Sequence, residues 1–279
     1  MKMTSTQIAP NIGLEIRGVS GHDLVDRDAA DACLAALTQH AVVVYPEIYI
    51  DDNDLVAFSR LLGEVVVVAT GEHELPEIQT ITLDPVKSNR HLVAYRQGNF
   101  LWHIDGAHDV VPQKATLLSA REVDDAGGGD TEFASSFAAY EALSPDEKAE
   151  LEDLQVVHSF AAAQARVYPD APEKERSAWA RVAPRVHPLV WRHPSGKRSL
   201  LLGSTADEIV GRPRDRGRAL LDRLLEWVTQ PKFVLRHHWR KGDLVMWDNT
   251  GALHRALPFE AASPRLLHRT TLAGEAPAA

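Results

Sequence analysis

Cysteine is almost missing: Cys33 is the only one in 279 residues. That excludes an intrachain disulfide framework and a zinc site built from several thiolates, and it fits a reducing compartment. Positive charge is in the minority, with 30 Lys and Arg against 39 Asp and Glu and a formal net charge of −9. Phosphate contacts need a basic face, so non-specific nucleic-acid binding is not expected. No apolar run approaches the ~18 residues of a membrane span. Residues 1–10 hold one Lys and no apolar stretch, so they do not read as a secretory signal. The expectation is a cytoplasmic protein that engages neither membrane nor nucleic acid. What the chain has in excess is histidine, 13 residues. Histidine is the commonest metal ligand, so the question is how many of them bind metal.

No repeat, low-complexity tract or linker interrupts the chain, and one domain spanning 1–279 is expected, frayed over its first ~10 and last ~6 residues. Apolar spacing predicts helices over 26–39 and 52–62, the second ended by Gly63. Strands are expected at 41–45, 65–69, 78–83 and 115–120. Residues 84–98 are polar and read as a long loop. A glycine turn, 127–129, precedes helices near 136–143 and 145–154, with Ser144 and Glu147 set for a capping box. Short strands follow near 155–159, 187–191, 198–202, 232–238, 243–247, 253–256 and 265–273, interrupted by one amphipathic helix over 213–229. Many short strands with turns between them indicate a sandwich or barrel decorated by helices.

Trp102-His103-Ile104-Asp105 is the sharpest local signal. On a strand, residues i and i+2 point to one side, so His103 and Asp105 are placed to grip one ion. Two His and a carboxylate on one face leave positions open, as in non-haem Fe(II) oxygenases. The third ligand must lie far downstream. His237 and His238 are adjacent, so both cannot face one metal from a strand; a core and a surface imidazole is the simpler reading. His254, in a strand–turn–strand segment after Trp247-Asp248-Asn249, is the better placed.

These motifs together resemble the Fe(II)/2-oxoglutarate dioxygenases of the taurine dioxygenase and 2,4-dichlorophenoxyacetate dioxygenase group. The likeness runs from Gly13-Leu14-Glu15-Ile16-Arg17-Gly18-Val19 to Arg269-Thr270-Thr271-Leu272. It rests on Trp-His-x-Asp, Gly-Gly-Asp-Thr at 128–131, Trp-Asp-Asn at 247–249, Leu-His-Arg at 253–255 and two C-terminal arginines.

The resemblance implies a mainly β fold, a double-stranded β-helix (jelly roll, cupin-like) flanked by helices, and a homo-oligomer. It implies Fe(II) held by His103, Asp105 and His254, with 2-oxoglutarate and O2 as cosubstrates. The distal carboxylate of 2-oxoglutarate would meet Arg265 and the Thr131 hydroxyl, the planar Arg fork suiting a carboxylate, and Trp247 would pack beside the iron. Arg269, four residues after Arg265 and on the same side of a strand, would hold the anion of the primary substrate. Asn99, Gly106 and His108 would line its pocket, His108 departing from an aromatic common in relatives. The taurine enzymes carry a His and a Tyr after the second helix, where this chain has Val65-Val66-Val67-Val68-Ala69-Thr70-Gly71. An aryloxyalkanoate-like acid is therefore favoured over taurine, with an alkylsulfonate or sulfate ester as the alternative. A cupin-like metal binder without turnover, and a zinc hydrolase, are the readings from other classes.

Overall fold

The computed structural model describes residues 3–67, 73–84, 96–124, 127–260 and 262–278. The strands are β1 Thr4–Gln7, β2 Leu14–Arg17, β3 Val42–Tyr45, β4 Gln79–Ile81, β5 Ala115–Glu122, β6 Thr131–Ser135, β7 Gln155–His158, β8 Arg185–Pro188, β9 Val190–Arg192, β10 Arg198–Leu200, β11 Ala206–Ile209, β12 Val234–His237, β13 Leu244–Asp248, β14 Ala252–Ala256 and β15 Leu266–Leu272. The helices are α1 Arg27–His40, α2 Asp52–Leu62, α3 Ser136–Glu141, α4 Pro145–Leu151, α5 Phe160–Val167, α6 Glu173–Trp179 and α7 Arg214–Val228.

A seven-stranded sheet has the order β1-β2-β3-β13-β5-β15-β4, and a three-stranded sheet the order β12-β6-β14. One cluster of buried side chains draws on both: Val44, Val245, Trp247, Leu118 and Leu267 from the large sheet, Phe133, Leu235 and Ala252 from the small one. Alternate residues of the large sheet, among them Val43, Met246 and Leu117, point the other way and pack on Cys33 and Leu37 of α1 and on Leu55, Phe58 and Leu62 of α2. This explains the uninterrupted run Val42-Val43-Val44-Tyr45, buried at every position: a strand covered on both faces loses the polar alternation of a half-exposed one. The jelly-roll expectation holds, with α1 and α2 on the outer face of the larger sheet.

Several local expectations change. Residues 4–7 are not frayed, since β1 pairs with β2 from Thr4↔Arg17 to Gln7↔Leu14. Near the other end, Ala278 N–H still donates to Arg192 O. At 65–69 only Val65 makes an isolated bridge, to Leu272; the rest of that stretch from 68 on, and 85–95 of the expected loop, lie outside the described residues. Helices α5 and α6 are additions to the single C-terminal helix expected. Ser159 caps α5 by accepting from Ala162 N–H, and Ala161, Ala162, Ala163 and Ala165 are good helix formers. The Ser144–Glu147 capping box forms as expected.

Asp52, at the start of α2, ties the outer helix layer to the sheet. It pairs with Arg121 of β5 at 2.5 Å, His268 of β15 at 2.7 Å and His73 at 3.2 Å. A carboxylate and two imidazoles so close resemble a metal cluster, but the Arg121 guanidinium already supplies their cation. Burial raises the Asp52 carboxyl, yet His268, Arg121 and His73 outweigh it and bring it down to about 2. The folded value lies below the unfolded one near 3.9, so the contribution is full above pH 4 and fades as pH falls toward 2. Asp52→Asn is expected to cost on the order of 2 kcal/mol at pH 7. Thermal melts from pH 7 to pH 3 should show its Tm deficit narrowing below pH 4; a pH-independent deficit would refute the assignment.

Candidate active site

His103 and His254 sit directly opposite each other. Each backbone N–H donates to the other's carbonyl, at 3.0 and 2.9 Å, forming an isolated antiparallel bridge. Residues paired in this way send their side chains to the same side, and the two imidazole centroids are 4.1 Å apart. The flanking motif residues lock the bridge: the Arg255 guanidinium lies 4.6 Å over the Trp102 ring and its Nε donates to Glu132 at 2.8 Å. Asp105 completes the group, with Oδ1 3.7 Å from His103 Nε2 and Oδ2 3.6 Å from His254 Nε2. The three ligand atoms lie within 4.8 Å of one another.

One detail departs from the sequence reading: Trp102–Asp105 is not a strand. After the single bridge at His103 the chain enters a turn at Asp105, and Asp109 N–H donates to Gly106 O at 2.8 Å. Gly106 makes this possible, with φ of 67° and a position where a Cβ would come within 2.8 Å of Asp109 and Gln113. The i, i+2 relation survives locally, because Ile104 turns into the core at 2% exposure.

Charge states suit a cation. Burial lowers both imidazoles, His254 well below its ordinary value, leaving them neutral. Burial would raise the Asp105 carboxyl, but Arg269, then the two imidazoles and the Thr116 hydroxyl, hold it well below the usual carboxylate range. His103 Nδ1 lies 2.8 Å from Leu101 O; donating there leaves Nε2 with its lone pair toward Asp105.

Two cavities meet at this triad. One is lined by Thr131, Trp247, Phe259, Arg265 and Ala256 with His103, Asp105 and His254. Arg265 is 4% exposed, and its guanidinium lies 4.8 Å over the Phe259 ring. The turn at 127–129 explains the glycines of the Gly-Gly-Asp-Thr motif: Gly129, with φ of 69°, presses its backbone against the Arg265 side chain, where a Cβ would meet Cδ at 2.7 Å. Thr131 Oγ1 accepts from Trp239 Nε1 at 2.9 Å, so its hydroxyl proton is directed elsewhere. Trp247 is 1% exposed with its ring 4.7 Å from that of His254. The neighbouring His237 and His238 divide as expected, their side chains 10% and 73% exposed.

The second cavity, of about 410 Å³, is lined by Asn99, Gly106, His108, Phe160, Gln164 and Arg269, again with His103 and Asp105. Asn99 and Arg269 line both cavities. Arg269 Nη2 is ion-paired with Asp105 Oδ2 at 2.9 Å and donates to Gln113 Oε1 at 2.9 Å and Thr116 Oγ1 at 3.5 Å, while Nε donates to Thr271 Oγ1 at 3.1 Å. His108 faces this cavity, 5.4 Å from the Phe160 ring, with a buried Nδ1 that has no hydrogen-bond partner among the described residues. Val67 does not line it: that side chain is 61% exposed, and Val66 stands at the wall instead. Sequence reasoning missed Gln164 and Phe160 because it missed α5, and missed Gln113 because nothing distinguishes it from a loop glutamine. A larger cavity of about 700 Å³, near Phe137, Tyr140 and Lys197, touches none of the triad.

The chain matches the family described as "Taurine catabolism dioxygenase TauD, TfdA family" over residues 4–271, and it belongs to that family. It is 35% identical over 250 residues to the alpha-ketoglutarate-dependent 2,4-dichlorophenoxyacetate dioxygenase of Burkholderia sp. (strain RASC), covering 85% of this chain and 83% of that one. It is 32% identical over 280 residues to the (S)-phenoxypropionate/alpha-ketoglutarate-dioxygenase of Sphingobium herbicidovorans, covering 96% and 95%. Among solved structures, AAD-2 in complex with Mn(II) and N-oxalylglycine superposes with a TM-score of 0.83 at 32% identity over the whole of both chains. A taurine dioxygenase from Burkholderia xenovorans gives 0.81 at 29% identity, covering 99% and 90%. Among the described residues no helix is long and apolar enough to cross a membrane.

Proposed function

We propose that the protein is an Fe(II)- and 2-oxoglutarate-dependent dioxygenase that hydroxylates a small anionic organic acid, an aryloxyalkanoate-like carboxylate in the reading favoured here. In this reading residues 1–279 act as one domain of a cytoplasmic homo-oligomer that uses neither membrane nor nucleic acid. The observation that carries it is the placement of two arginines around one triad: Arg265 in one cavity, and Arg269 in both.

His103, Asp105 and His254 would hold Fe(II). Their buried, neutral imidazoles and ionised carboxylate suit a divalent ion, and two His with one carboxylate is the donor set of non-haem iron oxygenases. When bound, Fe(II) with 2-oxoglutarate and O2 supplies the oxidation that hydroxylates a C–H bond, with succinate and CO2 as co-products. The chain supplies position. Arg265 and the Thr131 hydroxyl receive the distal carboxylate of 2-oxoglutarate, and Trp247 walls that cavity. Arg269 spends Nη2 on Gln113, Thr116 and the ion pair with Asp105, and Nε on Thr271, which leaves Nη1 for a substrate anion. Asn99, Gly106 and His108 shape the remaining pocket. If the hydroxylated carbon carries an ether oxygen, the product collapses and the C–O bond breaks.

Succinate release with Fe(II), 2-oxoglutarate and a panel of acids tests this. Turnover with phenoxyacetates but not taurine supports it; the reverse overturns the substrate class. Failure of every acid to stimulate succinate, together with unchanged behaviour of Asp105→Ala, would leave a non-catalytic metal binder. The second reading, an alkylsulfonate or sulfate-ester substrate, is favoured by 33% identity over 282 residues to the alpha-ketoglutarate-dependent sulfate ester dioxygenase of Pseudomonas putida, since Arg269 suits a sulfate as well as a carboxylate. In either case Arg269→Ala is expected to raise KM for the anionic substrate by about 30-fold or more while KM for 2-oxoglutarate moves less than about threefold. Equal rises in both would mean that Arg269 serves the cosubstrate instead.

A further inference from the structure

Three buried residues from distant parts of the chain make a hydrogen-bonded series ending on Asp105. Trp247 Nε1 donates to Asn249 Oδ1 at 2.8 Å, Asn249 Nδ2 donates to Thr116 Oγ1 at 2.9 Å, and Thr116 Oγ1 donates to Asp105 Oδ2 at 2.9 Å. Trp247 is 1% exposed, and Asn249 and Thr116 are 0% exposed. The direction is fixed by chemistry. An indole N–H can only donate, so the Asn249 oxygen must face it. The Asn249 NH2 then faces Thr116, whose one hydroxyl proton is left for the carboxylate. The Trp-Asp-Asn motif thereby gains a physical reason: its first and third side chains form this series, while Asp248 closes the β13–β14 turn by accepting from Thr250 and Gly251 N–H.

We propose that Thr116, Asn249 and Trp247 are positioning residues for the metal, a one-way hydrogen-bonded series that fixes the orientation of the Asp105 carboxylate. The inference rests on the reading above, that Asp105 is a metal ligand. Thr116 donates to Oδ2 and Arg269 Nη2 is ion-paired to the same oxygen, and no hydrogen bond reaches Oδ1 among the described residues. The carboxylate is thus clamped through one oxygen, and its rotation is set before any cation arrives. All three side chains of the series are neutral, so it orients Asp105 without competing for its charge. The Arg269 contact alone would not do this, because that guanidinium is shared with Gln113 and Thr271.

The test is Mn(II) binding to the metal-free full chain in the presence of 2-oxoglutarate, followed by the loss of the free-ion electron paramagnetic resonance signal. Thr116→Val removes the terminal donor and is expected to weaken Mn(II) binding by about 10–100-fold. Asn249→Asp keeps shape but presents an acceptor to Thr116, drawing its proton away from Asp105, and is expected to weaken binding to a similar extent. Thr116→Ser keeps the hydroxyl and should bind within about twofold of wild type. A purely structural role would lower Tm in all three without this pattern in affinity. Folded Thr116→Val or Asn249→Asp protein that binds Mn(II) as wild type does, or a Thr116→Ser variant as weak as Thr116→Val, overturns the proposal. Asp105→Ala separates the two readings. If it binds Mn(II) like wild type, the metal assignment itself fails. If it alone loses binding, only the series fails.

Discussion

Asp105→Ala is expected to reduce succinate formation by at least about 1,000-fold, and His254→Ala by a similar factor, because each removes one of the three ligands proposed for the metal. The two variants should differ before any metal is added. Removing Asp105 strips Arg269, whose side chain is 18% exposed, of its carboxylate, and leaves the Thr116 hydroxyl without its acceptor. An uncompensated buried charge costs about 3–5 kcal/mol, moderated here by Gln113 and Thr271. Removing His254 takes away a neutral imidazole from a pair whose centroids are 4.1 Å apart, leaving a cavity but no stranded charge. Melts in the presence of a chelator should therefore place Asp105→Ala below His254→Ala in Tm. The reverse order would mean that the Arg269 contact contributes nothing to the metal-free fold.

Arg265→Ala should produce the largest change in cosubstrate use. A buried guanidinium that meets a carboxylate in a cavity is worth about 2–5 kcal/mol on truncation, which corresponds to about 30- to 4,000-fold in affinity. KM for 2-oxoglutarate should rise into that range, whereas Thr131→Val, losing one neutral hydroxyl, should raise it only about 2- to 13-fold. Arg265→Lys is informative because it keeps the charge and loses the planar fork; it should fall between the two. Steady-state kinetics at saturating primary substrate distinguish these values. If Arg265→Lys matches wild type, recognition depends on charge alone and the fork geometry is irrelevant.

That His103, Asp105 and His254 come together was legible in the sequence because they belong to motifs with fixed spacing, and the placement of Arg265 and Arg269 beside them because these stand at set distances after His254. The strand geometry first used to join His103 to Asp105 was too regular: a single bridge and a left-handed Gly106 do that work. Thr116 was invisible for a different reason. It is one of several polar residues of β5, with Ser119, Arg121 and Glu122, and β propensity alone accounts for it. Its meaning depends on β13 lying beside it, with Trp247 paired to Thr116 in register. Gln164 was invisible because α5 is short, and an alanine-rich octamer gives a weak periodic signal. The outer core was read well, since Val42–Tyr45 and α2 carry their burial in composition.

The order of strands also has a consequence for how the protein is made. In the large sheet, β13 and β15 lie inside, flanking β5, while β3 and β5 come from the first half of the chain. As the ribosome releases the polypeptide from its N-terminus, β3 and β5 emerge without the strand that joins them, and His103 emerges without the backbone partner that His254 will provide. At about 5–20 residues per second, that interval lasts on the order of 10–30 s. During it β3, whose other side pairs with β2, presents its β13-facing edge unpaired, the condition in which strands associate with neighbours. Residues 244–272 therefore supply both the strands that join the large sheet and the backbone partner of His103, and a nascent chain arrested before β13 has neither.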